Sequence, residues 1–277
     1  MQPGIWTSYL IDDDPERMVE TFAARGWTQL ELSTEHGEML LDRGDPDHTG
    51  RAFRTLAAGR GVCFPQGHLW LTADITAADG GRTVDALRRW LDLYAAAGVR
   101  AAVLHPSGVP AARETRPAGE VLERQVAALG ALAAHLAGTD TVICLENVSA
   151  APLAPDLLRL IEAVGSRHLA ICLDTGHLHI AGGDQAAFIR AAGAHLKALH
   201  IADNEGQTDQ HLMPWGRGTV DWPAVVHALR QLPYAGLFNL EIPGENRAPR
   251  AVRLAKLDYL KELLRLMLDG KAPPSVS

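Results

Sequence analysis

The chain is poor in cysteine and in aromatic side chains, has no long apolar run and carries no surplus of basic charge. Its three cysteines, Cys63, Cys144 and Cys172, fall inside strand-like segments. They read as buried free thiols of a reducing compartment and not as a disulfide framework. No apolar stretch approaches the ~20 residues that span a bilayer. The opening MQPGIWTSYLIDDDPER places no basic leader before an apolar segment, so no export signal is read and a cytoplasmic location is expected. A net charge of −7 and a pI near 5.9 leave no basic, aromatic-interleaved stretch for gripping a duplex, so nucleic acid is not the expected partner. The first strand-like segment also runs into IDDDPER, which is acidic and lacks glycine. That excludes the phosphate-cradling first turn of an open, doubly wound dinucleotide sheet.

What the chain does have is alternation. Strand-like segments are read at Ile5–Leu10, Gln29–Leu32, Val62–His68, Ala101–His105, Val142–Glu146, Leu169–Asp174, Leu196–Ile201 and Leu237–Glu241. Helical periodicity separates them, clearest over Arg82–Ala97, where Val84, Leu87, Leu91 and Tyr94 form one apolar stripe. Val121–Leu136 behaves likewise, and Ala248–Leu268 closes the chain. Gly26, Gly61, Gly98 and Gly138 sit where helices should stop, and Asp14-Pro15 and Asp221-Trp222-Pro223 where they should start. A hydrophobic fraction of 47% supports a sizeable core. Eight strand–helix units in 277 residues predict a single-domain (β/α)8 TIM barrel over residues 1–270, with KAPPSVS (271–277) as a disordered tail. The last helix and Trp6, Trp215 and Trp222 read either as a homo-oligomer contact or as caps on the pocket.

Six of the apolar segments end in a metal-type ligand: His68, His105, Glu146, Asp174, His200 and Glu241. In a barrel of parallel strands these ends share one rim, so the six side chains should meet in one pocket. Carboxylates and neutral imidazoles gathered there are what a divalent cation requires, since a buried carboxylate is costly unless paired or metal-bound. In D-T-G-H, Gly176 is read as a tight turn that swings His177 back towards Asp174, while His179 should point away. Asp209 and His211, alternate residues of an extended loop, can reach one ion together. Asp203 reads as orienting a neighbour, and Arg217, between two glycines, as a contact for a substrate oxygen or phosphate or as a plain surface arginine. His68 and His105, taken singly, read as substrate hydrogen-bonding or core groups before metal ligands. Glu31, Glu35 and His36 follow the second strand, and Glu31 is a weak candidate for the pocket wall. Glu146 and Glu241, from the fifth and eighth strands, should face each other across a central ligand, which suits proton transfer at a substrate carbon.

CLDTGH, HIADN…D.H….G.G..DW, LEN and LEIPGE together resemble the xylose isomerase-like TIM-barrel superfamily over nearly the whole chain. That superfamily holds sugar and sugar-phosphate isomerases and epimerases together with endonuclease IV. The resemblance to the isomerases and epimerases implies a divalent ion (manganese, zinc, cobalt or magnesium) on Glu146, Asp174, His200 and Glu241. It further implies Glu146 and Glu241 as the acid/base pair working through an enediolate, with His177 and Arg217 towards a small carbohydrate or polyol substrate, to which the strand-end positions of His68 and His105 add two more candidate contacts. The endonuclease IV branch implies another use of the rim. Its nine ligands to three zinc ions match His68, His105, Glu146, Asp174, His177, His200, Asp209, His211 and Glu241. A multinuclear zinc phosphoesterase is therefore one alternative to a cytoplasmic sugar isomerase or epimerase, and a dehydratase of a keto-sugar or cyclitol, in which the same enolate intermediate eliminates water, is another.

Overall fold

The computed structural model describes residues 1–77, 80–106, 117–148 and 153–270; the tail 271–277 lies outside them. Among the described residues the strands are β1 Gln2–Ile5, β2 Gln29–Leu32, β3 Cys63–His68, β4 Ala101–Leu104, β5 Val142–Glu146, β6 Leu169–Asp174, β7 Leu196–His200 and β8 Leu237–Leu240. β2 to β7 form one parallel sheet in sequence order, and β1 pairs in parallel with β8. Isolated parallel bridges, Trp6 to Glu31 and Ile201 to Leu240, join the two pieces into a closed cylinder. Helices Pro15–Ala24, Pro46–Ala58, Gly80–Ala97, Ala118–His135, Ala154–Val164, Gln185–Ala192, Trp222–Arg230 and Arg250–Asp269 form its outer layer. Short helices Thr34–Leu41 and Thr175–Ile180 follow β2 and β6 directly. The fold is the expected (β/α)8 barrel, and none of the described helices is long and apolar enough to cross a membrane.

Local chemistry explains the boundaries. Asp14 and Asp221 cap their helices by accepting from the backbone N–H of Arg17 and Ala224, with proline in each first turn. Gly26, Gly61, Gly98 and Gly138 take φ values of 71°, 73°, 91° and 86°, a left-handed stop that a side chain resists.

The lumen is built on the two-residue period of a strand. Ala101 and Val103 of β4, Cys144 of β5, Ala170 and Cys172 of β6 and Ala198 of β7 fill it with small buried groups. Continuing each inward column by two residues reaches His105, Glu146, Asp174 and His200. The same alternation takes Gln66 to His68 on β3 and Asn239 to Glu241 at the end of β8. The cylinder thus holds small apolar groups with the buried polar Gln66 and Asn239 below, and bears ligands at its upper rim.

The structure corrects several expectations. The first strand is Gln2–Ile5, and Thr7–Leu10, read as strand, is a 3-10 turn. All four of its residues are buried, and a short run buried on every side carries no periodicity to tell strand from turn. Cys63 is exposed because it opens β3 at the lower rim, although Cys144 and Cys172 are buried. Trp222 is buried in the core, and Trp6 and Trp215 are half-buried against it. D-T-G-H begins the helix Thr175–Ile180 instead of a tight turn. Gly176 is closely packed there, since a Cβ would lie 3.1 Å from Asn204 Nδ2.

The glycine of LEIPGE has a similar cause. A Cβ on Gly244 would overlap the carbonyl oxygen of Tyr9, fixed backbone that cannot swing aside. Gly244→Ala should destabilise the fold by about 1–3 kcal/mol, as overpacking does. An unchanged denaturation midpoint would refute this account of the motif.

Candidate metal centre

The six strand-end ligands meet. Glu146 lies at the middle, with its Oε2 3.5 Å from His68 Nε2, 3.3 Å from His105 Nε2 and 3.2 Å from His200 Nδ1. Its other oxygen, Oε1, is 3.1 Å from His177 Nδ1. Glu241 Oε2 is 3.2 Å from His200 Nδ1 on another side. Three overlapping groups place their ligand atoms within 4.8 Å of one another: His68–Glu146–His200, Glu146–Asp174–His177 and Asp174–His200–Glu241. The loop pair joins at the edge, Asp209 Oδ2 standing 3.3 Å from His177 Nε2 and 3.1 Å from His211 Nε2. Arg217 is not drawn in. Its side chain is 67% exposed and lies 3.8 Å from Glu205.

Hydrogen bonds away from the cluster hold the rings. His68 Nδ1 donates to Leu69 O at 2.8 Å, and His211 Nδ1 to Glu241 O at 2.7 Å. His177 Nδ1 lies 3.2 Å from Asn147 O. In their neutral forms these bonds put the proton on Nδ1 and leave the Nε2 lone pair facing a carboxylate. His200 is held in the opposite sense, its Nε2 donating to Glu31 Oε1 at 2.9 Å, which turns the Nδ1 lone pair to the cluster. Four buried atoms of the cluster find no hydrogen-bond partner among the described residues: His68 Nε2, Glu146 Oε2, Asp174 Oδ2 and His200 Nδ1. Acceptors that converge without donors fit a cation's coordination sphere, so these residues can hold a divalent ion.

Protons compete with a cation for the same lone pairs. Burial pushes the Glu241 carboxyl up to about 8. Burial alone would also raise Glu146, but the imidazoles of His200 and His105 hold it well below the usual carboxylate range. Against the effect of burial, Asp174, Asp209 and Glu146 lift His177 to about 12, and Asp209 and Glu241 lift His211 to about 10.

Much of the family-like motif proves to be scaffold. Asp203 accepts from Trp222 Nε1 at 2.7 Å and Val220 N at 3.1 Å, and a Cβ on Gly218 would overlap its carboxyl group. It thereby clamps the loop that presents Asp209 and His211. Asn147 of LEN bonds Asp174 O at 2.9 Å and Asp174 N at 2.6 Å, tying β5 to β6 at the rim. His179 turns away to Thr219 Oγ1 at 2.7 Å. His36 is buried on Thr7, Ser33 and Asp13, outside the cluster. Glu31, the weak candidate, is fully buried against His200, and Asn239 donates to its second oxygen. Asn239 carries no sequence signal of its own, although it stands two residues before Glu241 on the same strand face. A cavity of about 700 Å³ lies at the opposite rim among Arg54, Cys63, Arg100 and Asp140, away from these ligands.

A profile of the family described as "Xylose isomerase-like TIM barrel" matches residues 19–263. The chain belongs to the xylose isomerase-like TIM-barrel family. It is 27% identical over 255 residues to L-ribulose 3-epimerase of Mesorhizobium japonicum, a match covering 87% of this chain and 82% of that one. It is 28% identical over 165 residues to the protein y4fM of Sinorhizobium fredii, spanning 58% of this chain and about half, 52%, of that relative. Among solved structures, D-psicose 3-epimerase from Clostridium cellulolyticum H10 with D-tagatose superposes with a TM-score of 0.81 at 18% identity, covering 97% and 99% of the two chains. At that identity the likeness is one of fold.

The metal-free protein should lose thermal stability as pH rises from 7 to 10. Folded His177, His211 and Glu241 hold protons that their unfolded counterparts have released, so stability present at lower pH is lost through about 8, 10 and 12. Saturating Mn²⁺ should flatten this dependence and release protons on binding, read as Tm against pH and as buffer-dependent heat of binding. A flat metal-free profile would contradict the proton-filled cluster.

Proposed function

We propose that the protein is a divalent-metal-dependent sugar isomerase or epimerase, with epimerisation of a ketose the favoured reaction. The observation that carries this reading is the buried set Glu146, Asp174, His200 and Glu241, in which two carboxylates approach one imidazole nitrogen, each at 3.2 Å. The relatives named as epimerases of L-ribulose and D-psicose support the substrate class. These four side chains hold the ion, which manganese, cobalt, zinc or magnesium would suit. When bound, the cation supplies positive charge beside the oxygen that becomes negative as a neighbouring carbon loses its proton.

Glu146 and Glu241 do the proton work, one taking the carbon-bound proton and the other returning it from the opposite face. Both stand on strand ends, which fixes their separation more firmly than loops would. His177, 22% exposed and anchored to Asn147 O, offers its ring to a substrate oxygen, and His68 and His105 line the wall behind Glu146. Arg217 would need a rotation of its exposed side chain to join them. Free thiols at Cys63, Cys144 and Cys172 accord with a cytoplasmic setting.

A second reading has its own observation. The nine residues of the endonuclease IV ligand pattern form one connected network, with His177, Asp209 and His211 as a separate edge group. That favours a multinuclear phosphoesterase. Ion counting by metal analysis separates the two, about one per chain supporting the epimerase and two or three the hydrolase. His211→Ala should be mild in the first case and severe in the second.

The direct test follows a carbon-bound proton. With ketopentoses and ketohexoses in deuterated water, wild-type protein should exchange one substrate C–H and Glu146→Gln should lose about 10²–10⁴-fold of that rate. Exchange at the wild-type rate in a folded Glu146→Gln protein would refute the assignment.

A further inference from the structure

We infer that Glu31 positions His200 for the cation and that Asn239 positions Glu31. The inference rests on the proposed metal-dependent reading and adds to it a residue that does not face the ion.

Glu31 ends β2 as seen from the lumen, directly under the rim, with 0% exposure. A carboxylate so placed is expensive unless its oxygens are paired. Each oxygen has one partner: Oε1 accepts from His200 Nε2 at 2.9 Å, and Oε2 accepts from Asn239 Nδ2. No lysine or arginine pairs with it among the described residues. The countercharge must therefore reach Glu31 through the imidazole, either as a proton on His200 or as a cation on its far nitrogen.

That far nitrogen is His200 Nδ1, buried without a hydrogen-bond partner and 3.2 Å from both Glu146 and Glu241. The bond to Glu31 forces the Nε2–H tautomer, aims Nδ1 at the ligand cluster and makes the ring a better electron donor. No other hydrogen bond holds the ring of His200 among the described residues. Three strands thus contribute one chain of contacts: Asn239 from β8, Glu31 from β2 and His200 from β7. Gln66 closes the neighbouring side of this layer by donating to Leu199 O at 3.1 Å, which ties the backbone beside His200 to β3.

The test uses the full-length, metal-stripped protein, Mn²⁺ titration by calorimetry and the visible spectrum of the Co²⁺ form. Glu31→Gln should weaken Mn²⁺ binding about 10–100-fold, the usual loss for a group behind a metal ligand. It should also shift the Co²⁺ bands while leaving the metal-free Tm unchanged or higher, since a buried charge has been removed. Asn239→Ala, which spares the His200 bond, should cost less, about two- to tenfold. It also stands in if Glu31→Gln does not fold. Wild-type affinity with unshifted Co²⁺ bands in either folded variant would overturn the inference alone. A fall in metal-free Tm in step with the lost affinity would also overturn it, by showing that Glu31 only supports the fold. Failure of wild-type protein to take up Mn²⁺ or Co²⁺ would overturn the metal-dependent reading itself.

Discussion

Repulsion between lone pairs at the upper rim governs everything around it. Glu146 presents its two oxygens to four imidazole rings, and Asp174 and Glu241 crowd the same space. A cluster so rich in acceptors holds together only if something positive enters, and protons or a metal ion are the candidates small enough to do so. The barrel makes this convergence hard to avoid. Parallel strands end on one rim, and their two-residue period sends one column of each into the lumen. Small side chains such as Ala198 and Cys172 keep the cylinder narrow below and draw the ligands together above. The stability gained from burying the rest of the chain offsets an arrangement that no metal-free fold would favour for its own sake.

The site divides into a rigid part and a presented part. Glu146, Asp174, His200 and Glu241 belong to strand ends and are almost entirely buried. Asp209 and His211 come from the loop after β7 and keep 42% and 25% of their side chains exposed. That loop is fastened at its roots by Asp203, Trp222 and Asn204, so its partial exposure does not make it slack. Such a division lets the buried set fix an ion while the fastened loop meets what arrives from solvent. Trp6 stacks on His211 with ring planes 5° apart and centroids 6.1 Å apart, extending the presented surface with an apolar face.

The strands that matter were legible because each couples a buried apolar run to an abrupt ligand, as VICLE and AICLD do. Glu31 gave a weak signal because Q-L-E-L alternates like any half-buried strand, and nothing local marks its acid as turned inward. Asn239 gave none, since a neutral amide within LFNLE carries no expectation of a partner 208 positions away. Motif glycines were legible as positions and not as causes: Gly176, Gly218 and Gly244 are set by neighbours distant in sequence. Arg217 shows the converse, a residue whose motif context points to the substrate while its side chain lies in solvent beside Glu205. Side-chain direction on a loop depends on packing that the local sequence does not encode.

Ion number and the state of the rim histidines are linked by charge. Glu31, Glu146, Asp174 and Glu241 are four buried carboxyl groups, and one divalent cation balances two of them when all are ionised. In the metal-free rim protons on His177 and His211 meet part of this charge, the carboxylates beside them lifting the two rings to about 12 and 10. Rings that keep their protons are hydrogen-bond donors, able to hold a substrate oxygen as it gains negative charge. In a three-ion site they must surrender their protons and become ligands, and Asp209 turns from ion-pair partner to bridge. One set of side chains therefore serves as donors towards a carbohydrate or as acceptors around extra cations, and cannot do both at once. The sum of buried negative charge, and not the list of ligands alone, separates the two chemistries open to this rim.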